Sequence, residues 1–192
     1  QKAIGMMPEG KVHNYLYRGT SSLKFQDKSE VWGFKEPTIS NGAAYADLDN
    51  DGDLDLITNN INEAAGIYRN NSNQLTKNNY LKIKLVGDNL NKFGLGAKVY
   101  LKNKGELQTQ QLHPTRGFLS SVEPTLTFGL GKLTEVDTLI VIWGNQKAEL
   151  KNNVKANTTL VLQQADAQAA GRTFYARLFP KTEPLFTEAT QT

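Results

Sequence analysis

Five aspartates occupy alternate positions in the run Asp47-Leu48-Asp49-Asn50-Asp51-Gly52-Asp53-Leu54-Asp55. Carboxylates at this spacing suit one chemistry above others, the binding of a hard divalent cation. Calcium takes six to eight oxygen ligands at roughly 2.3–2.6 Å, so the chain must coil round the ion to supply them. Gly52 permits that coil, because a Cβ would obstruct so tight a turn. Loop position assigns side-chain oxygens to Asp47, Asp49, Asp51 and Asp55 and a main-chain carbonyl to Asp53. All five are therefore candidate ligands of a Ca2+ ion. Without a cation, each carboxylate pair about 4 Å apart repels by roughly 1 kcal/mol even in water. A merely solvated acidic turn is the poorer explanation. An EF-hand would place a bidentate Glu at the twelfth loop position; Thr58 stands there, between flanks that read as strands rather than helices.

Other residues offer less. There is no cysteine, hence no disulfide framework and no thiolate metal site. Only His13 and His113 can serve as imidazole bases. A cluster of His113, Arg116 and Glu123 is the strongest enzymatic alternative, for glycan or phosphoester cleavage. Nothing in its spacing supplies a second carboxylate or an activated nucleophile, and the expectation is a protein that is not an enzyme. Phe128-Gly129-Leu130-Gly131 lacks the strand–helix context of a phosphate-cradling loop. Trp32, His113, Arg116 and Phe118 are the candidate ligand-binding residues. Trp32, Tyr45, Phe118 and Trp143 form a candidate sugar-stacking set, although the apolar run around Trp143 argues for core. Asn70-Asn71-Ser72 and Asn157-Thr158-Thr159 match glycosylation sequons.

The elements that position these residues are strands. Short apolar–polar alternation bounded by turn residues recurs along the chain, and helical periodicity is almost missing. Strands are expected at 12–18, 43–48, 54–58, 66–69, 80–86, 97–101, 107–112, 125–128, 138–143 and 158–163. In Tyr80-Leu81-Lys82-Ile83-Lys84-Leu85-Val86 the apolar residues share one face, as in a half-buried antiparallel strand. The run Leu139–Trp143 reads as a centre strand buried on both faces. Turns with positive φ are expected at Asn103-Lys104-Gly105 and at Gly144-Asn145. The stretch Ala165–Arg172 reads as a linker.

The chain has 192 residues, 39% of them hydrophobic and 21% charged, within the globular range. Its formal charge of +3 conceals an uneven distribution: five of the 19 acidic residues lie in the aspartate run, leaving 14 against 22 Lys and Arg. The basic residues are dispersed and not interleaved with aromatics, so no specific nucleic-acid partner is expected. No apolar run reaches membrane-spanning length. The chain begins at Gln1 and reads as a segment of something longer. Tyr17-Arg18-Gly19 recurs as Tyr68-Arg69-Asn70, and Leu23-Lys24-Phe25-Gln26-Asp27 in form as Pro184-Leu185-Phe186-Thr187-Glu188. The first recurrence is about fifty residues on, the period of a propeller blade; the second is at the far end of the chain.

The stretch from Asn41-Gly42-Ala43-Ala44-Tyr45-Ala46 through the aspartate run to Leu56, with Ile67-Tyr68-Arg69-Asn70 beyond it, resembles the FG-GAP/VCBS repeat of integrin-type β-propellers. Residues Asn79–Val86, Gly94-Leu95-Gly96-Ala97-Lys98-Val99, Gln111, Arg116-Gly117-Phe118-Leu119-Ser120, Thr127–Gly131 and Val136–Trp143 resemble the ASPIC/UnbV domain of the cartilage acidic protein family and of bacterial surface proteins. The resemblance implies a blade whose calcium loop joins two strands, and it brings no catalytic residues. Two departures stand out: Gly144 follows Trp143 where the family usually has Pro, and Ser120-Ser121 replaces Ser-Gln.

The expected fold is all-β, a β-propeller-type repeat fragment plus an antiparallel β-sandwich. The repeat with its calcium loop spans 1–77, the ASPIC/UnbV-like sandwich 78–165, and 166–192 is a linker and the start of a further repeat. The expected function is a calcium-stabilised extracellular or cell-surface module, the periplasm included. Its partners would be a glycan, matrix or cell-surface protein and the remaining repeats of a longer parent chain. A purely structural spacer is the other alternative.

Overall fold

The computed structural model describes residues 10–179. The chain is all-β, with mostly antiparallel sheets and few helices. It divides into two compact units. Among the described residues the first comprises 10–71 and 115–123, the second 72–114 and 124–179.

In the first unit, β1 (Tyr17–Gly19) and β2 (Phe25–Asp27) form a two-stranded ribbon. Of the strand expected at 12–18, only its end pairs this way; Val12 makes an isolated bridge to Thr38. A second sheet runs β3 (Ser40–Ala46), β4 (Asp55–Asn60), β5 (Gly66–Tyr68), all antiparallel. Ala46 faces Asp55 in register, so the aspartate run is the connection of this β3–β4 hairpin. Strands flank the loop, as its alternating neighbours require.

The second unit opens with a single helical turn, α1 (Ser72–Thr76). One sheet contains β6 (Asn79–Val86) at its centre, antiparallel to β9 (Thr125–Gly131). The other edge of β6 pairs in parallel with β12 (Thr158–Gln163), a departure from the wholly antiparallel expectation. A parallel neighbour needs a long crossover, and the whole intervening chain supplies it. The larger sheet has the order β13-β11-β10-β7-β8, with β7 (Lys98–Asn103), β8 (Glu106–Gln111), β10 (Glu135–Ile142), β11 (Lys147–Lys155) and β13 (Ala169–Ala170).

Leu81, Ile83 and Leu85 of β6 and Leu126, Phe128 and Leu130 of β9 bury one cluster together with Val99, Leu101, Leu139, Val141 and Trp143 from the larger sheet. Period-2 alternation puts Ile140 and Ile142 on the opposite face of β10, where they join Tyr100 and Ala148. The strand is thus buried on both sides, and β7 and β11 flank it. Gly94 lies against this core: a Cβ there would come within 2.8 Å of the Trp143 ring, at a φ of +65°.

Three expectations are corrected here. The nine-residue β11 stands where no strand was expected. The β10–β11 turn has its positive φ at Gln146 (+64°) rather than at Gly144 or Asn145, whereas Lys104 and Gly105 adopt the expected positive values. Beyond β12, a 3-10 turn at Gln164–Asp166 and α2 (Gly171–Leu178) replace the linker, and Phe174 and Leu178 pack on the outer face of the larger sheet. The motif at 184–188 lies outside the described residues. No helix among the described residues is long and apolar enough to cross a membrane.

Candidate metal centre

The loop from Asp47 to Asp55 is shaped by its own carboxylates. Asp47 accepts the N–H of Asp51 (3.1 Å) and of Gly52 (3.0 Å), one on each oxygen. Asp49 Oδ1 receives the Asp51 amide at 3.3 Å, and Asp51 Oδ1 receives the Asp53 amide at 3.2 Å. Asn50 (φ +61°) and Gly52 (φ +101°) supply the left-handed backbone that such bonding needs.

Asp55 anchors the base of the loop. Only 2% of it is exposed, and it accepts the Leu48 N–H at 2.9 Å on Oδ2 and the Asn70 N–H at 2.8 Å on Oδ1. A buried carboxylate held by two backbone donors is compensated by charge-assisted bonds. Asn70 adds a bond from Nδ2 to the Leu54 carbonyl (3.1 Å), so the end of β5 is tied to the hairpin from two directions.

One carboxylate oxygen each from Asp47, Asp49 and Asp55 lie within 4.8 Å of one another. Two oxygens on a single calcium at roughly 2.3–2.6 Å stand at most about 5 Å apart, so this trio fits one coordination sphere. Asp51 and Asp53 fall outside it. The second oxygen of Asp51 lies 3.8 Å from the Arg69 guanidinium, which also pairs with Asp49 Oδ2 at 2.7 Å. Arg69 thereby offsets part of the charge repulsion from one flank of the loop. The Tyr68-Arg69-Asn70 triplet stands out in the sequence by its likeness to Tyr17-Arg18-Gly19; its ties to the aspartates do not.

The remaining candidates are dispersed. Trp32 is half-exposed in a turn of the first unit, where its N–H bonds to the Lys28 carbonyl. Arg116 and Phe118 belong to the first unit, at an exposed tip closed by the Arg116 N–H to Ser120 carbonyl bond. His113 is exposed and belongs to the second. Trp143, a member of the stacking set, is 1% exposed and is core. A row of rings that no sequence motif marks runs into the start of β1: the His13 and Tyr15 ring centroids are 4.3 Å apart, and those of Tyr15 and Tyr17 6.3 Å with planes inclined by 10°. Its signal was the bare i, i+2, i+4 alternation. Both sequon amides are engaged, Asn70 as above and Asn157 through Nδ2 to Asn79 Oδ1 at 2.9 Å.

Two comparisons relate the sequence to known proteins. Residues 87–169 match the family model described as ASPIC and UnbV. That ASPIC/UnbV stretch takes in β7 to β12, and hence the central strand and Trp143. Cartilage acidic protein 1 of Xenopus tropicalis is 31% identical over 170 residues, covering 80% of this chain and 26% of the relative. Its Homo sapiens counterpart is 31% identical over 126 residues, 64% of this chain and 18% of that protein. The chain spans about a quarter or less of the length of these curated relatives.

Proposed function

We propose that the chain is a calcium-stabilised, non-catalytic module of an extracellular or cell-surface protein, presenting a surface to a glycan, matrix or protein partner. The observation that carries this reading is the convergence of Asp47, Asp49 and Asp55 within one calcium coordination sphere. Bound there, the ion would cross-link the two ends of the β3–β4 loop and offset the charge of the aspartates. Asp51 and the Asp53 carbonyl are the next donors along the loop.

The first unit supports a blade-type repeat. Leu23, Phe25, Val31 and Ile67 are largely exposed on it, and a single blade cannot bury both of its faces. The rest of a parent chain as long as the cartilage acidic protein 1 relatives would supply neighbouring blades. In the second unit, a core shared between two sheets supports a sandwich. An extracellular address suits a weak calcium site. At millimolar calcium, a site with a dissociation constant of about 10⁻⁴ M adds about 1.4 kcal/mol, and at submicromolar calcium almost nothing.

Melting the chain with 1 mM CaCl2 and with EGTA tests this. Calcium should raise the Tm by about 3–6 °C, from the ligand free energy and the usual scaling with domain size. The Asp47→Ala/Asp49→Ala double variant should abolish the rise. A Tm indifferent to calcium, or a rise that survives the double variant, would sink the proposal.

A further inference from the structure

We propose that a polar cleft of the second unit, lined by Asn73, Lys77, Asn78, Asn79, Tyr80 and Asn157, binds a carboxylated monosaccharide unit. The inference rests on the reading that the chain faces a glycan, and it names the site and the sugar class. The cleft is shallow and open to solvent, with a volume of about 270 Å³, just below the roughly 300–1,000 Å³ typical of small-molecule sites, a size for one sugar unit.

Its walls are held in place. On one side α1 is followed by Lys77, whose φ of +49° and N–H bond to the Asn73 carbonyl (3.0 Å) make a left-handed cap. The Lys132 ammonium donates to the carbonyls of Thr76 and Lys77, satisfying the end of the helix. On the other side, Asn157 accepts the Tyr80 N–H on Oδ1 (3.2 Å) and donates its own N–H to the Tyr80 carbonyl (2.7 Å). Asn79 accepts from Asn157 and donates from Nδ2 to the Leu133 carbonyl at 2.9 Å. The Asn79 and Asn157 carboxamides are thereby held in one orientation before any ligand arrives, each keeping one N–H for a ligand, which lowers the ordering cost of binding.

The lining selects the ligand. It has carboxamides for hydroxyl groups, an aromatic ring for a sugar face, and a lysine ammonium; no carboxylate lines it. Lys82, with Nζ 5.7 Å from the Tyr80 ring centroid, and Lys132 add to its positive character. A polyhydroxylated ring bearing a carboxylate uses all three groups. A neutral sugar leaves the ammonium unused, and a simple anion leaves the carboxamides and the ring unused.

The test follows amide shifts of the whole isotope-labelled chain, in calcium, on titration with sodium glucuronate, methyl glucoside and sodium acetate separately. Glucuronate alone should give saturable shifts at residues 73–80 and 157. Lys77→Glu, with an unchanged Tm, should weaken that binding about tenfold, by exchanging an attraction for a repulsion. Lys77→Gln should fall between the two. Equal shifts with acetate would reduce the cleft to a simple anion site, and equal shifts with methyl glucoside would remove the role of the carboxylate. Either result overturns the proposal, as does indifference to Lys77→Glu. Sugar shifts confined to other residues would sink the cleft and leave the glycan-facing reading standing. Loss of the calcium-dependent melt with glucuronate shifts intact would sink the calcium reading alone.

Discussion

The two tryptophans of the chain mark two ways of holding a β-structure together. Trp143, in the second unit, is enclosed by Leu85, Leu139, Val141 and their neighbours, whereas Trp32, in the first, is 49% exposed. Among the described residues of the first unit, Phe34 is the one large buried hydrophobic, and the other buried side chains are Ser29, Asp55 and Thr58. Polar bonds do there what apolar burial does in the second unit. Ser29 Oγ donates to Asp27 (2.5 Å) and accepts from the Leu16 amide (2.8 Å); Ser40 links Asn14 (3.0 Å) to Asn60 (2.8 Å). Each fully buried aliphatic or aromatic side chain contributes about 1.5–3 kcal/mol, while a net hydrogen bond contributes about 0.5–1.5 kcal/mol. Stability in the second unit should therefore respond to volume, and in the first to charge, protons and ions.

Core truncation is the largest expected break. Phe128→Ala should destabilise the second unit by about 3–5 kcal/mol, the cost of a large cavity between its sheets. The buried Trp143 emission of a Trp32→Phe background should then shift to the red at a lower temperature. A loss below 1 kcal/mol would mean the site collapses freely and the core is not tightly packed. Next comes Asp55→Ala, which strands the amides of Leu48 and Asn70. It should cost the first unit about 2–4 kcal/mol, read by Trp32 in a Trp143→Phe background. An unmoved Trp32 transition would mean that water replaces the carboxylate without loss.

The smallest effect sharpens the contrast through pH. In the first unit, the hydroxyl and then the amide of Ser29 hold Asp27 below its ordinary 3.8. A depressed carboxylate contributes stability above its unfolded value and loses it as pH falls through the folded one. In the second unit, burial, then the neighbouring Tyr175, pushes the Tyr100 phenol above its ordinary 10.0. That contribution is complete below the unfolded value and is lost as pH rises through the folded one. Acid should loosen the first unit before the second, and alkali the second before the first. Coincident transitions of the two tryptophans at both extremes would erase the distinction.

The alternation of β6 and the apolar run of β10 were legible because each strand writes its burial into its sequence. Lys147–Lys155 was not. In β11 only Ala148, Leu150 and Val154 touch a core, and the Lys and Asn residues between them read as loop. Its strand state is imposed by pairing with β10, which local composition does not record. The same holds for α2, whose amphipathic residues acquire meaning only against Tyr100 and Ile140. The aspartates were legible by spacing alone. Their partners Asn70 and Arg69 lie fifteen and twenty residues away from Asp55 and Asp49, beyond any local pattern.

The chain leaves the second unit after Pro114 and re-enters it at Pro124, and the nine residues between belong to the first. The backbone therefore passes from one unit to the other three times. No single scission, by protease or by genetic recombination, can release either body intact. A cut after Asn71 leaves residues 115–123 attached to the second unit, without the β3 strand they meet at Gly42. The two bodies are therefore bound into one piece by the path of the backbone itself.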